Sequence, residues 1–105
     1  KDYFPGVEYV DVLAADVYKN DWKQSHHDEL VELGKGKLIA LGEVGHLPKP
    51  EILAEQPQWV WFMEWNTYLK KNPPELLKLL FDDPRIITLD EVTKTEDGVY
   101  KITAQ

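Results

Sequence analysis

The stretch of sequence that decides the fold is Lys37-Leu38-Ile39-Ala40-Leu41-Gly42-Glu43. Its middle is continuously apolar, without the alternation that marks a strand with one face in water. Such a run is typical of a strand covered on both faces, and strands of that kind belong mostly to parallel sheets. The run ends on a carboxylate, Glu43, with Gly42 before it and Gly45 two residues after it. We therefore predict a buried parallel strand with an acidic side chain at its carboxyl end.

Two further apolar runs, at residues 9–18 and 59–63, predict strands before and after this one. Between the first two runs, Ser25 followed by Asp28 resembles a capping box and predicts the start of a short amphipathic helix. Gly34 and Gly36 predict where that helix ends. The first half of the chain is therefore predicted to fold as strand, helix and strand.

The second half of the chain carries further helix signals. A short helix is predicted at 50–55, with proline at its start, and a helical turn at 66–71. Asn72 is predicted to cap a last helix that has Pro73 at its first position and leucines along one side. Residues 86–89 predict a short extended piece.

The alternation of strands and helices predicts βαβ units and a parallel sheet with right-handed crossovers. Three apolar parallel strands alone would leave two unpaired edges, so we predict an α/β fold that is one part of a larger sheet or barrel. Residues 92–103 have a different pattern from the apolar strands, because Asp97-Gly98 lies between two half-polar runs. That pattern predicts a β-hairpin, with a frayed tail as the alternative.

Composition excludes several classes of function. The chain has 105 residues, a net charge of −7 and no cysteine. A chain of this length is predicted to form one domain at most. Its longest basic run is Lys70-Lys71, which argues against nucleic acid as a partner. No apolar stretch of about 18 residues predicts a membrane span. Three histidines without spaced acidic or cysteine partners predict no metal site, and no cofactor is predicted.

Candidate functional residues follow the three strands, since the carboxyl ends of parallel strands meet at one edge. They are Asp16 and Tyr18, then Glu43, then Glu64 and Trp65. A carboxylate fixed there suits nucleophilic attack on an anomeric carbon. A tyrosine hydroxyl beside it can hold its orientation and favour its ionised form. The alternatives are a solvated or salt-bridged Glu43 and purely structural roles for Asp16 and Tyr18.

Three tryptophans, Trp59, Trp61 and Trp65, share parity along the third strand. An indole at the mouth of a site can form the floor of a sugar subsite, whereas indoles deeper in a strand more often fill a core. Trp65 is therefore the better candidate for binding a ligand. His46, in the loop after Glu43, is a weaker candidate for the same cleft.

Four ordered segments carry a resemblance to a known family. They are Phe4-Pro5-Gly6 with Glu8-Tyr9-Val10-Asp11-Val12 and Asp16-Val17-Tyr18; Gly36-Lys37-Leu38-Ile39-Ala40-Leu41-Gly42-Glu43-Val44-Gly45; Trp61-Phe62-Met63-Glu64-Trp65; and Asn72-Pro73-Pro74-Glu75-Leu76 with Pro84-Arg85-Ile86-Ile87-Thr88-Leu89-Asp90-Glu91. The first three resemble the sixth, seventh and eighth strand regions of glycoside hydrolase family 26, the β-mannanases. The fourth resembles the closing helix and the end of that family's (β/α)₈ TIM barrel.

The resemblance implies a retaining enzyme that hydrolyses internal β-1,4-mannosidic bonds of a mannan-type polysaccharide. It implies that Glu43 is the nucleophile and that Tyr18 contacts it. Trp65, with Trp61 as a rival, resembles the tryptophan of the subsite beside the cleaved bond, and Asp16 is a further candidate for substrate binding. The family also implies an extracellular, periplasmic or cell-surface location.

The resemblance covers only the last part of a barrel, about strands six to eight. On this interpretation residues 1–91 are a C-terminal barrel fragment, and residues 92–105 are an extension. The acid/base glutamate of the fourth strand lies elsewhere, and retaining hydrolysis needs two carboxyl groups roughly 5–5.5 Å apart. We therefore expect the chain by itself to be inactive and to associate with the rest of the barrel or with itself.

Two other functions are also compatible with the sequence. One is a non-catalytic interaction domain that self-associates or pairs with a separate N-terminal chain. The other is a different retaining β-glycanase, acting on β-glucans or xylans, because related barrels also place a glutamate at the seventh strand.

Overall fold

Three parallel strands and the helices that follow them make up most of the fold, in a computed structural model that describes residues 3–103. The strands are β1 (Val12–Val17), β2 (Leu38–Val44) and β3 (Trp59–Glu64), in the sheet order β1-β2-β3. The helices are α1 (Gln24–Gly34), α2 (Pro50–Glu55), α3 (Asn66–Leu69) and α4 (Pro74–Phe81). Both strand pairs are parallel, which confirms the predicted alternation.

The ends of the first strand and helix differ from their predictions. A 3₁₀ helix occupies Val7–Tyr9, so β1 is shorter than the apolar run. The predicted capping box is wrong, because α1 begins at Gln24 and Ser25 lies inside it. Asp28 instead accepts a hydrogen bond from Gln24 Nε2 at 2.9 Å. The helix ends at Gly34 as predicted, although the left-handed residue after it is Lys35, with φ of 48°.

Asn72 does not cap α4, contrary to prediction. The helix begins at Pro74, and Pro73 stands in the N-cap position without a side-chain cap. The Asn72 side chain instead points into the protein, where it is 4% exposed. Its Oδ1 accepts the Leu47 N–H at 2.9 Å, and its Nδ2 donates to Glu64 Oε1 at 2.6 Å. Asn72, predicted to cap the start of a helix, therefore links the end of β3 to the loop after β2.

The core lies where the sheet meets α4. Its buried cluster comprises Val17, Leu41, Val44, Leu47 and Leu80. Leu80 is fully buried in this cluster, whereas the next residue along the helix towards its start, Leu79, is 63% exposed. The leucine-rich helix is thus amphipathic, and it closes the core with one side.

A β-bulge at Gly42 turns Glu43 away from this core. In a regular strand Leu41 and Glu43 would lie on the same side. Here β2 advances from Leu41 to Glu43 while β1 advances by one residue to Asp16, so Gly42 is the extra residue. Val44 then returns to the buried cluster beside Leu41. Glu43 consequently lies on the opposite side of the sheet, next to Asp16.

A second irregularity lies in β3, where the register against β2 also shifts. Trp59 and Phe62 both pack against the buried cluster, although residues three apart in a regular strand lie on opposite sides. Trp59 therefore packs against the core, whereas Trp61 and Trp65 are about half exposed, despite the parity that the three share in the sequence.

The chain after α4 ends in the predicted hairpin, formed by β4 (Val92–Lys94) and β5 (Tyr100–Ile102). Gly98, with φ of 83°, lies in its turn. The predicted extended piece at 86–89 forms no strand, and a 3₁₀ helix over Leu89–Glu91 leads into the hairpin. Within residues 3–103, no helix has the length and apolar character needed to cross a membrane.

Truncating Leu80 to alanine tests the position of the core. We expect Leu80→Ala to lower the free energy of unfolding by about 2–5 kcal/mol, because the truncation leaves a cavity in a packed cluster. The matched control is Leu79→Ala on the same helix, which should change the free energy by less than about 0.5 kcal/mol. Urea denaturation of the protein that contains this chain measures both, and equal effects would contradict the burial described.

Candidate functional site

The candidate site is built around a hydrogen bond between the ends of two strands. Tyr18 directly follows β1, and its hydroxyl donates to Glu43 Oε2 at 2.7 Å. Glu43 is the next-to-last residue of β2, and its side chain is half-buried. The structure therefore brings together two of the residues that the sequence singled out, 25 positions apart.

Two glycines make room for this pair. A Cβ atom at Gly45 would lie 2.6 Å from Cδ1 of Tyr18, a separation that real Cβ atoms essentially never show. A Cβ atom at Gly42 would lie 2.9 Å from Oδ1 of Asp16. The Gly45 N–H also donates to the carbonyl of Val17 at 2.9 Å, which fixes the chain just beyond Glu43. Glycine is thus needed at both positions for the side chains to stand where they do.

The hydrogen bond keeps the proton on the Tyr18 hydroxyl. Hydrogen bonding to Glu43, burial and the negative charge of Glu43 together raise the pKa of Tyr18 to about 12, from an ordinary value of 10.0. Because the pKa is raised in the folded protein, the bond stabilises the fold below pH 10, and this contribution is lost as the pH rises through about 12. Tyr18 therefore remains a donor throughout the neutral range.

Asp16 lies beside this pair, since it is the direct register partner of Glu43 on β1. Its side chain is exposed and its Oδ1 lies over Gly42. Neighbouring parallel strands thus present two carboxylates on one side of the sheet.

The two candidate tryptophans stand in different places. Trp65 directly follows β3 and is 52% exposed, and its indole lowers the pKa of Tyr18, opposing the rise that Glu43 causes. Trp61 is 48% exposed and lines a separate groove with Phe81 and Ile87. Trp65 is thus near Tyr18 at the strand ends, and the roles of both tryptophans stay predictions.

Sequence reasoning missed an aromatic side chain behind the pair. The ring of Tyr68 meets that of Tyr18 edge-on, with centroids 5.7 Å apart and an interplanar angle of 73°. Its position within one helical turn of Trp65 is the signal that could have found it. An aromatic residue so close to a predicted strand end is a candidate for the same site.

A buried polar group also lies near the strand ends. Burial raises the pKa of Glu64, against the opposing effects of its hydrogen bond from Asn72 and of the nearby His46 side chain. Glu64 Oε2 and His46 Nδ1 are both buried and lack a hydrogen-bond partner among residues 3–103. His46 is half-buried and close enough to Glu64 to influence its pKa, and its place in the cleft stays a prediction.

The central chemical group of this site is the Glu43 carboxylate, which is oriented by the Tyr18 hydroxyl. Within the described residues, no three His, Asp or Glu side chains are grouped so as to hold a metal ion. The exposed groups that surround Glu43 are a second carboxylate, from Asp16, and the indole of Trp65. Such a set suits a ligand that has both hydroxyl groups and flat apolar faces, as sugars do.

Comparison with solved structures identifies the class of fold as part of a (β/α)₈ barrel. The chain resembles GH26A from Muricauda sp. with a TM-score of 0.82 and 49% identity, over 88% of this chain and 30% of that one. It resembles the GH26-CBM35 β-(1,4)-mannanase of Podospora anserina with a TM-score of 0.76 and 36% identity, over 87% of this chain and 22% of that one.

Comparison of the sequence with known families identifies the family of this chain. The model of glycosyl hydrolase family 26 matches residues 1–91, and the chain belongs to that family. A mannan endo-1,4-beta-mannosidase of Thermothelomyces thermophilus is 38% identical over an alignment covering 92% of this chain and 22% of that relative. The chain therefore spans between about a fifth and a third of the length of these relatives.

Removing the charge of Glu43 tests the electrostatic coupling of the pair. We expect Glu43→Gln to lower the pKa of Tyr18 from about 12 towards its ordinary value of 10.0, because the carboxylate is the main cause of the rise. NMR titration of tyrosine labelled at the ring ζ-carbon measures this pKa, and Tyr18→Phe identifies the signal. Glu51→Gln, at an exposed position on α2, is the control and should leave the pKa unchanged. An unchanged pKa in Glu43→Gln would contradict the hydrogen bond.

Proposed function

We propose that the chain is the C-terminal part of a retaining endo-β-1,4-mannanase in which Glu43 is the nucleophile. The observation that carries the proposal is the Tyr18–Glu43 hydrogen bond at the carboxyl ends of adjacent parallel strands. Membership of glycosyl hydrolase family 26 and likeness to two named mannanases support the choice of substrate.

The geometry favours attack by one particular oxygen. Tyr18 holds Oε2 of Glu43, which leaves Oε1 free to attack the anomeric carbon. In this step an ester bond forms between Glu43 and the sugar, and the glycosidic carbon–oxygen bond breaks. The departing sugar oxygen takes a proton from a second carboxylic acid, which belongs to another part of the barrel. Water then hydrolyses the ester, and that second group acts as the base.

The neighbouring side chains supply sugar contacts in this proposal. Trp65 offers an exposed indole face beside the reacting carbon, on which the apolar face of a sugar ring can stack. Asp16, opposite Glu43 in the register, is placed to accept a hydrogen bond from a sugar hydroxyl. It is not assigned the acid/base role, because both carboxylates stand on the same wall of the site. Family membership also supports an extracellular, periplasmic or cell-surface location for the intact protein.

Replacing Glu43 in the intact protein tests the catalytic assignment. Glu43→Gln should lower kcat on mannan by about a thousandfold or more, because the glutamine cannot form the glycosyl ester. Glu55→Gln, at an exposed position at the end of α2, is the matched control and should retain full activity. Activity is measured as the release of reducing ends, with thermal unfolding recorded to confirm that each variant is folded.

The outcomes of this assay separate the alternatives. A folded Glu43→Gln variant that keeps most of its activity would show that the nucleophile is another residue. Activity of the wild type on β-glucan or xylan, but not on mannan, would favour a different retaining glycanase. Inactivity of the intact wild type on all three would favour a non-catalytic interaction domain.

The chain produced by itself should be inactive and should self-associate. Both β1 and β3 are edge strands of the three-stranded sheet, and β3 exposes Val60, Trp61 and Met63. Unpaired apolar edges favour association with another strand. We expect size-exclusion chromatography with light scattering to show oligomers, and Val60→Lys to shift them towards monomer because a charge on the edge opposes pairing. A compact monomer with sharp thermal unfolding would contradict this prediction.

A further inference from the structure

Tyr68 is the aromatic side chain that packs directly against the hydrogen-bonding tyrosine of the site. Its ring and that of Tyr18 lie 5.7 Å apart in an edge-to-face arrangement, the geometry that aromatic pairs favour. The ammonium of Lys71 lies over the Tyr68 ring, 4.1 Å from its centroid. Tyr68 is thus held between a cation on its own loop and the phenol that contacts Glu43.

The helix that carries Tyr68 is too short to be stable without contacts to the rest of the protein. Helix α3 has only four residues, a single turn, and isolated single turns are unstable because nucleating a helix fixes several residues for one hydrogen bond. Its backbone bonds run from the N–H groups of Tyr68 and Leu69 to the carbonyl of Trp65. The placement of the Tyr68 ring therefore depends on what anchors this turn to the sheet.

Asn72 supplies that anchor. Its Nδ2 donates to the Tyr68 carbonyl at 3.2 Å and to Glu64 Oε1 at 2.6 Å. Its Oδ1 accepts the N–H of Leu47, in the loop after β2. One buried amide thus joins α3 to the end of β3 and to the loop that follows Glu43. Buried hydrogen bonds of this kind favour one arrangement of the chain, because breaking any of them leaves a polar group without a partner.

The Tyr18 ring packs closely over Gly45, where a Cβ atom would lie 2.6 Å from its Cδ1. A phenol ring that is held on one side only can still turn about its side-chain bonds unless another group packs against it. Tyr68 provides that group, and a small rotation of Tyr18 would lengthen the 2.7 Å bond to Glu43.

We propose that Tyr68, anchored by Asn72 on α3, is a positioning residue that holds the Tyr18 hydroxyl against Glu43. This inference rests on the proposed role of Glu43 as nucleophile. Tyr68 touches no reacting atom in this account and acts only through Tyr18. Its loss should therefore alter the chemical step and leave substrate binding nearly unchanged.

A double-mutant cycle in the intact enzyme tests the proposal. Tyr68→Ala and Tyr68→Leu should each lower kcat on mannan about tenfold with KM within about twofold, whereas Tyr68→Phe should retain kcat because it keeps the ring. In a Tyr18→Phe background, Tyr68→Leu should lower kcat by less than about twofold further, because the hydroxyl that it positions is already absent. Leu69→Ala, on the same turn, is the matched control and should leave kcat unchanged.

The results that would overturn the proposal are distinct from those that would overturn the proposed function. Additive effects of the Tyr18 and Tyr68 substitutions, or a rise in KM alone, would show that Tyr68 does not act through Tyr18. Equal losses in Tyr68→Leu and Leu69→Ala would show that the turn is merely structural. Full activity of Glu43→Gln would instead remove the nucleophile assignment, whatever the cycle shows.

Discussion

One extra residue in β2 determines the side of the sheet on which Glu43 stands. Without the bulge at Gly42, Glu43 would follow Leu41 into the packed cluster beneath α4, where a charged carboxylate is strongly disfavoured. With the bulge, Val44 takes the buried position and Glu43 stands beside Asp16. Bulges re-aim side chains in this way at functional sites. The hydrogen bond from Tyr18 is possible only because of that reversal.

The same strand shows what could and could not be predicted from the sequence. The apolar runs predicted three parallel strands, because burial on both faces leaves a continuous apolar signature. The sequence also placed Tyr18 and Glu43 at neighbouring strand ends, and the family resemblance predicted their contact. The bulge could not be predicted from Gly42 alone, because a glycine inside a strand marks either a bulge or the close approach of another group. Likewise, the register shift in β3 depends on pairing between strands.

Of the two errors at helix starts, the one at Asn72 has a clear physical cause. Ser25 and Asn72 were predicted to cap helices from their local sequence, since both residue types favour that position. In the fold, α1 begins before Ser25, and Asn72 is drawn into buried bonds with Leu47 and Glu64. Tertiary hydrogen bonds thus override local preference where a polar side chain can reach buried partners. The network behind the site, including Tyr68, was missed for the same reason.

The central claim is that Glu43 forms the covalent bond to the sugar, and trapping that bond tests it most directly. The intact protein would be incubated with a β-mannoside oligomer in which fluorine replaces the 2-hydroxyl and which carries a good leaving group. The fluorine slows hydrolysis of the ester, so the glycosyl-enzyme accumulates and peptide mass spectrometry can locate the label. We expect the label on Glu43. A label on another carboxylate, or turnover of the natural substrate with inversion of configuration, would contradict it.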